Sequence, residues 1–159
     1  VEYAIEIAKS HNVITILNPA PAAKLQDKTF HLIDYFTPNE TEASFYANHK
    51  IETQEDAKEA ASQLLKKGIK NIIITLGDKG AYFANSSENF HVDALDLKNK
   101  VVDATGAGDA FNAGFAVGLT EGKGIKEAIK FANTVAGLST TSIGTAKSMP
   151  FRNEIENFF

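Results

Sequence analysis

The chain has 159 residues, 43% of them hydrophobic, and a net charge of −4 from 16 basic and 20 acidic side chains; this is one ordinary domain's worth of sequence with enough apolar material for a core. No window concentrates the basic residues, so a nucleic-acid partner gets no electrostatic support. The absence of cysteine removes disulfides, thiolate metal sites and thiol catalysis, and every apolar run is far shorter than a membrane span requires, so a cytoplasmic protein without a membrane partner is expected.

Val1, Ala4, Ile5 and Ala8 fall at helical spacing with no capping residue ahead of them, as though a helix were entered partway along. With Met149 as the only methionine, the expectation is a fragment of a longer protein. Residues 13–17 form a short β-branched run that Asn18-Pro19-Ala20-Pro21 ends, which predicts a strand and then a loop. Residues 33–36 predict a second strand, and in Thr37-Pro38-Asn39-Glu40 the proline fits the first turn of a helix running to about Asn48. Thr53-Gln54-Glu55-Asp56 has the form of a capping box, and Ala57, Ala60, Ala61, Leu64 and Leu65 make the apolar stripe of a helix that Gly68 closes. Residues 71–76 read as a fully buried strand, because their apolar side chains run on without alternating, as in parallel sheets.

Gly77-Asp78-Lys79-Gly80 turns the chain into a strand at residues 81–84, with which residues 89–92 can pair as a hairpin or edge ribbon. Helices are predicted at about residues 106–120, 125–139 and 152–158. Strands alternating with helices indicate an α/β fold with a mainly parallel sheet. His11, His31, His49 and His91 show no ligand spacing and read as surface or loop residues, while Phe158 and Phe159 are expected to cover apolar surface.

The chemistry concentrates at Asp103-Ala104-Thr105-Gly106-Ala107-Gly108-Asp109-Ala110-Phe111. Gly106, Ala107 and Gly108 open a helix, so their backbone N–H groups are unobstructed at the positive end of the helix dipole, an arrangement that binds anions. Asp109 follows in the first turn, where a carboxylate can take a proton from a hydroxyl attacking a bound phosphoryl group. On its own such a Gly-x-Gly-Asp is more often a crowded strand-to-helix junction with a favourable first-turn acid. The dinucleotide fingerprint fails because Phe111 stands where glycine is required, and no Gly-x-x-x-x-Gly-Lys-Ser/Thr loop occurs.

Asp103 to Phe111 resembles the second signature of the PfkB carbohydrate kinases. Leu17-Asn18-Pro19-Ala20-Pro21-Ala22, Thr37-Pro38-Asn39-Glu40-Thr41-Glu42-Ala43, Ile74-Thr75-Leu76-Gly77-Asp78-Lys79-Gly80 and Pro150-Phe151-Arg152 are similar to family segments in the same order and spacing. The resemblance is closer to the ribose-phosphorylating branch than to its relatives. It implies a three-layer α/β/α fold in which residues 1–159 are the C-terminal nucleotide-binding and catalytic part, without the N-terminal sugar-binding part, glycine-rich first signature and lid.

The activity it implies is ATP-dependent phosphorylation of a sugar hydroxyl, D-ribose to ribose 5-phosphate being the best match. Fructose, another sugar or a nucleoside is the alternative substrate, and an inactive nucleotide-binding half-protein the alternative function. Asp109 is then the general base at the sugar hydroxyl, and Gly106, Ala107 and Gly108 the anion hole. Asn39, Thr75, Leu76, Gly77, Asp78, Lys79, Gly80, Gly108 and Asn133 are implied to contact ATP, Asn133 near the adenine. Asn39 and Glu42 match an element associated with Mg²⁺, though a helix start alone would also explain them. Asp103 and Thr105, with Ser139, Ser142, Gly144 and Ser148, match the two halves of a K⁺ loop. The full-length protein is expected to be a homodimer, and the chain alone inactive.

Overall fold

The computed structural model describes residues 1–97 and 100–158. They group into two compact units, one formed by Val1–Leu76 with Tyr82–His91, the other by Gly77–Ala81 with residues from Val92 onward.

The first unit carries the sheet, in the order β1 (Ile16–Leu17), β2 (Tyr35–Phe36), β3 (Asn71–Thr75), β4 (Ala81–Asn85), β5 (Asn89–Val92). β1 and β2 are parallel with Ile16 opposite Tyr35, and β2 and β3 are parallel with Phe36 opposite Ile72. Parallel neighbours need crossover connections. These are supplied by α2 (Asp27–Phe30) between β1 and β2, and by α3 (Glu40–Ala47) and α4 (Gln54–Lys66) between β2 and β3. The links from β3 to β4 and from β4 to β5 are too short for a crossover, so the last two strands run antiparallel, and the sheet is mainly parallel as expected.

The core of this unit follows from the periodicities. α4 buries Ala57, Ala60, Ala61 and Leu64 completely, and β3 buries Ile72, Ile73 and Ile74 completely. Phe30, Phe36 and Tyr46 meet edge to face, with centroids 5.2–6.4 Å apart, the geometry that ring quadrupoles favour. α1 (Glu2–Ser10) precedes the sheet and buries Ile5. Asp34, just before β2, ties α1 to the strand ends: Lys9 Nζ donates to its carboxylate at 2.6 and 2.5 Å, Lys70 Nζ at 3.0 Å and the Thr15 N–H at 3.0 Å.

Three expectations change. The strand at 13–17 shrinks to Ile16–Leu17, and Val13 and Ile14 are exposed. The β-branched run favours extension, but β2 offers only two partner residues and the ladder ends with it. Pro38 is not in the first turn of α3; Asn39 is the N-cap and Pro38 lies ahead of it, fully buried. The Pro38 carbonyl accepts the Thr75 N–H at 3.0 Å, and Asn39 forms a parallel bridge with Thr75. Extended pairing to β3 therefore continues through the proline, and the helix starts only when an Asx side chain can cap it. α2 was not expected from the pattern; four residues are too few to display a helical period.

The second unit is built on α5 (Ala107–Thr120) and α6 (Ile125–Ser139), with α7 (Arg152–Glu156) after them. Glycine allows α5 and α6 to approach closely. A Cβ on Gly114 would lie 3.0 Å from Ala132 Cα and Val135 Cβ, and one on Gly118 3.0 Å from Ala128 Cα. Phe111 and Phe115 are buried one turn apart and stack in parallel. Among the described residues no helix is long and apolar enough to cross a membrane. Phe158 is 44% exposed, less covered than expected, and Phe159 lies outside the described residues.

Candidate functional site

The start of α5 is the most unusual helix start in the chain. Its N-cap is Gly106 at φ 82°, a left-handed conformation that glycine adopts without a Cβ penalty, and no side chain caps the turn. The Ala107 N–H donates back to the Ala104 carbonyl at 3.2 Å, and the Gly106 carbonyl takes the Ala110 N–H at 2.9 Å. By helix geometry the N–H groups of Gly108 and Asp109 have no intrahelical acceptor. A Cβ on Gly108 would meet nothing within 4 Å, so an anion can approach this backbone directly. Asp109 is exposed in the first turn beside it.

The turn is held from behind by two loops. The Val102 and Asp103 N–H groups both donate to the Thr140 carbonyl, at 2.8 and 3.1 Å. The Asp103 carboxylate takes the Thr105 N–H at 2.9 Å and the Gly144 N–H at 3.1 Å. The Thr105 side chain and backbone, and then the Gly144 backbone, hold this carboxyl below the usual carboxylate range. Thr145 leans on the turn itself, since a Cβ on Gly106 would sit 3.2 Å from its Cγ2. Ser148 is buried, and its hydroxyl donates to the Gly144 and Thr145 carbonyls at 2.7 Å. Ser142 is exposed, and the Ser139 hydroxyl is turned into its own helix, donating to Ala136 O at 2.7 Å. Five of the six cation-loop candidates thus carry oxygens on this pair of loops, and Ser139 can offer only its backbone to it.

The loop after β3 is shaped by Gly80, at φ 98°, where a Cβ would lie 2.1 Å from the Val92 carbonyl oxygen. The same segment is gripped by Asn133, whose side-chain amide donates to Val92 O at 3.1 Å and Asp93 O at 2.9 Å. Asn133 is buried on α6 and its Nδ2 is spent on backbone carbonyls. Gly77, Asp78 and Lys79 form one 3₁₀ turn with no buried side chain.

In the other unit Asn39 and Glu42 close on each other. The Glu42 N–H donates to Asn39 Oδ1 and the Asn39 N–H to Glu42 Oε2, both at 2.9 Å, a full capping box that leaves Glu42 buried and Asn39 exposed. Thr75 joins them through its bridge to Asn39, and Leu76 is buried. His11 and His31 are exposed, His49 and His91 half-buried, and among the described residues no three His, Asp or Glu side chains gather as a metal cage.

The residues that sequence reasoning missed are Thr140 and Thr145, which seat the turn through a carbonyl and a methyl. Their only signal was position within a Ser/Thr-rich stretch after α6, and that pattern reads equally well as an ordinary loop.

Comparison with known proteins places these features in a context. The model of the pfkB family of carbohydrate kinases matches residues 1–152. The chain is 40% identical to a ribokinase of Haemophilus influenzae, over 99% of this chain and 51% of that protein. It is 38% identical to a deoxyribokinase of Salmonella typhi, over 99% and 50%. The structure of Arabidopsis thaliana ribokinase complexed with ribose and ATP superposes with a TM-score of 0.89 at 32% identity, covering 98% of this chain and 51% of that one. The chain spans about half the length of the curated relatives it matches.

Proposed function

The chain belongs to the pfkB family of carbohydrate kinases, and from that premise we propose that it is the nucleotide-binding and catalytic part of an ATP-dependent sugar kinase, acting on ribose. The observation that carries this reading is the start of α5, where glycine backbone open to an anion is followed directly by the exposed carboxylate of Asp109. Donors for a transferring phosphoryl group and a base for the attacking hydroxyl are the two parts that phosphoryl transfer asks of a protein.

In this mechanism the 106–108 turn, chiefly through the Gly108 N–H that has no acceptor within the helix while the Ala107 N–H is engaged by Ala104, holds the phosphoryl oxygens as their charge develops, aided by the α5 dipole. Asp109 takes the proton of the sugar hydroxyl as the new O–P bond forms, and ADP leaves with the electrons of the broken bond. Thr75, Leu76, Gly77, Asp78, Lys79 and Gly80 are the proposed nucleotide contacts, with Asn133 acting through the 92–93 backbone it holds. Asn39 and Glu42 offer one amide and one carboxylate oxygen, a sparse set that suits an ion keeping most of its waters and taking substrate phosphates, as Mg²⁺ does. Asp103, Thr105, Ser142, Gly144 and Ser148, with the backbone of Ser139, form an all-oxygen set that suits a hard monovalent cation such as K⁺, which would add positive charge behind the anion turn. The ribose reading is supported by the ribokinase relative and by the ribose complex; the deoxyribokinase relative makes 2-deoxyribose the direct competitor.

The test is ADP release by the full-length protein with ribose, 2-deoxyribose or fructose as acceptor, in potassium and in a large organic cation at equal ionic strength. Sugar-dependent turnover that rises with potassium is expected. No turnover with any sugar overturns the kinase reading, preference for another sugar corrects the substrate, and indifference to potassium removes the cation site. The 159-residue chain alone is expected not to turn over ribose, because acceptor positioning, which supplies roughly 7–11 kcal/mol of such barriers, is assigned to the other half of the relatives.

A further inference from the structure

α7 has only five residues and cannot be stable as an isolated helix. It is held by Ile155, which is buried in a cluster with Ala110, Phe131 and Val135, and by one side chain that reaches across to the rest of the unit, Arg152. The Arg152 guanidinium donates to Glu121 at the C-cap of α5, and its Nε to Glu156 at 2.8 Å. It also lies over the Phe131 ring of α6, 5.4 Å from the centroid. One planar group thus joins α7 to the α5–α6 corner by charge, by hydrogen bond and by ring face at once; Lys123 also pairs with Glu121, at 3.2 Å, and lies 5.6 Å from the Phe131 centroid, but it belongs to the corner itself and does not reach α7 through these contacts.

The segment between α6 and α7 is the loop that seats the anion turn. Its near end is fixed at Thr140, whose carbonyl takes the Val102 and Asp103 N–H groups; its middle supplies the Gly144 N–H to Asp103 and the Thr145 side chain behind Gly106. Its far end runs into α7. We propose that Arg152 is a positioning residue for phosphoryl transfer: by clamping α7 to Glu121 and Phe131 it holds the 141–148 loop against Asp103 and Gly106 and keeps the anion turn in its reactive geometry. The catalytic consequence rests on the kinase reading above, but the mechanical claim does not.

Exposed ion pairs add little to global stability, so the effect is expected to be local. In the full-length protein, Arg152→Ala should speed amide hydrogen exchange about tenfold in peptides covering 103–108 and 141–148, while the α5–α6 core around Phe115 and Ala132 stays protected. Arg152→Lys should give a smaller increase, and Glu121→Gln, which keeps Arg152 and its ring contact, should move the same peptides. With sugar and ATP, Arg152→Ala should lower kcat about tenfold with little change in sugar KM, because misplacing the turn harms the transition state more than sugar binding. Unchanged exchange at 103–108, or acceleration spread equally through α5 and α6, overturns the proposal; the second result would make Arg152 a general stabiliser. Local acceleration with an unchanged kcat overturns the catalytic part alone. A wild-type protein with no kinase activity defeats the kinase reading while the exchange result still decides the clamp.

Discussion

The starts of α3 and α5 solve one problem in opposite ways. Every helix begins with N–H groups that its own backbone cannot satisfy. At α3, Asn39 and Glu42 exchange hydrogen bonds and close the end internally, and at α4 Thr53 and Asp56 do the same. At α5 the cap is a left-handed glycine, no side chain caps the N–H groups of the turn, and the carboxylate of its own first turn, Asp109, is exposed. α6 also starts at a glycine without a side-chain cap, but its first turn is Ile125-Lys126-Glu127, with no glycine in it. The contrast extends to the two units. In the first, Asp34 and Glu42 face inward and are spent on structure; in the second, two helices pack through glycine, and polar loops brace a turn whose front is open. Closure contributes stability, and leaving a helix end open is what makes it available to a ligand.

The largest expected effect tests the open end. Asp109→Asn in the full-length protein should lower kcat by about 10²- to 10⁴-fold, with nucleotide affinity by calorimetry and melting temperature almost unchanged; turnover near normal would remove the base from this site. The packing that carries the open end comes next. Gly118→Leu forces a side chain into the 3.0 Å approach to Ala128, and a loss of about 1–3 kcal/mol in chemical denaturation is expected.

The closed unit should respond to acid instead. Burial pushes the Asp34 carboxyl up, but the Lys9 hydrogen bond, the Thr15 N–H and Lys70 outweigh it and bring it to about 2. Its folded value lies below its unfolded value, so its contribution is complete above the ordinary carboxylate range and fades as pH falls toward 2. Asp34→Asn should therefore cost about 2 kcal/mol at pH 7, with about half of that difference gone by pH 3; a difference independent of pH would show that the ion pairs are not its source.

The smallest pair of changes sharpens the contrast most directly. Asn39→Ala breaks a closed end and should cost about 1 kcal/mol of stability. Gly108→Ala adds a methyl where nothing lies within 4 Å, so stability in chemical denaturation should hold or rise by up to the roughly 1 kcal/mol that alanine gains over glycine in a helix. Its activity should nevertheless fall, because that methyl sits on the path of the anion. Equal stability losses in both variants would erase the distinction between the two ends.

Much of this was legible from residue order. The helix at Gln54–Lys66 is announced by Thr53 and Asp56 at one end and Gly68 at the other, and α6 lies where its apolar spacing predicts. The glycine-rich start of α5 was legible in Gly106 and Gly108, but the parts proposed for that turn and for Asp109 were implied by the resemblance of residues 103–111 to a family signature, since the bare pattern reads equally well as a crowded junction. Pro38 was misplaced because a proline fits the first helical turn and an extended strand end equally well by its φ alone; only the Thr75 N–H, far along the chain, selects the second.

By itself, then, the amino-acid order determined what depends on near neighbours: caps, apolar stripes, the parallel character of β3 and the glycine-rich start of α5. Tertiary structure alone decided where β1 ends, why Gly114 and Gly118 are glycine, and that Thr140, Gly144 and Thr145 brace the turn at Asp103 and Gly106. Those contacts join residues about 40 positions apart, and nothing in local spacing encodes them, because a hydrogen-bond donor or a close approach is specified by the partner that the fold brings up to it.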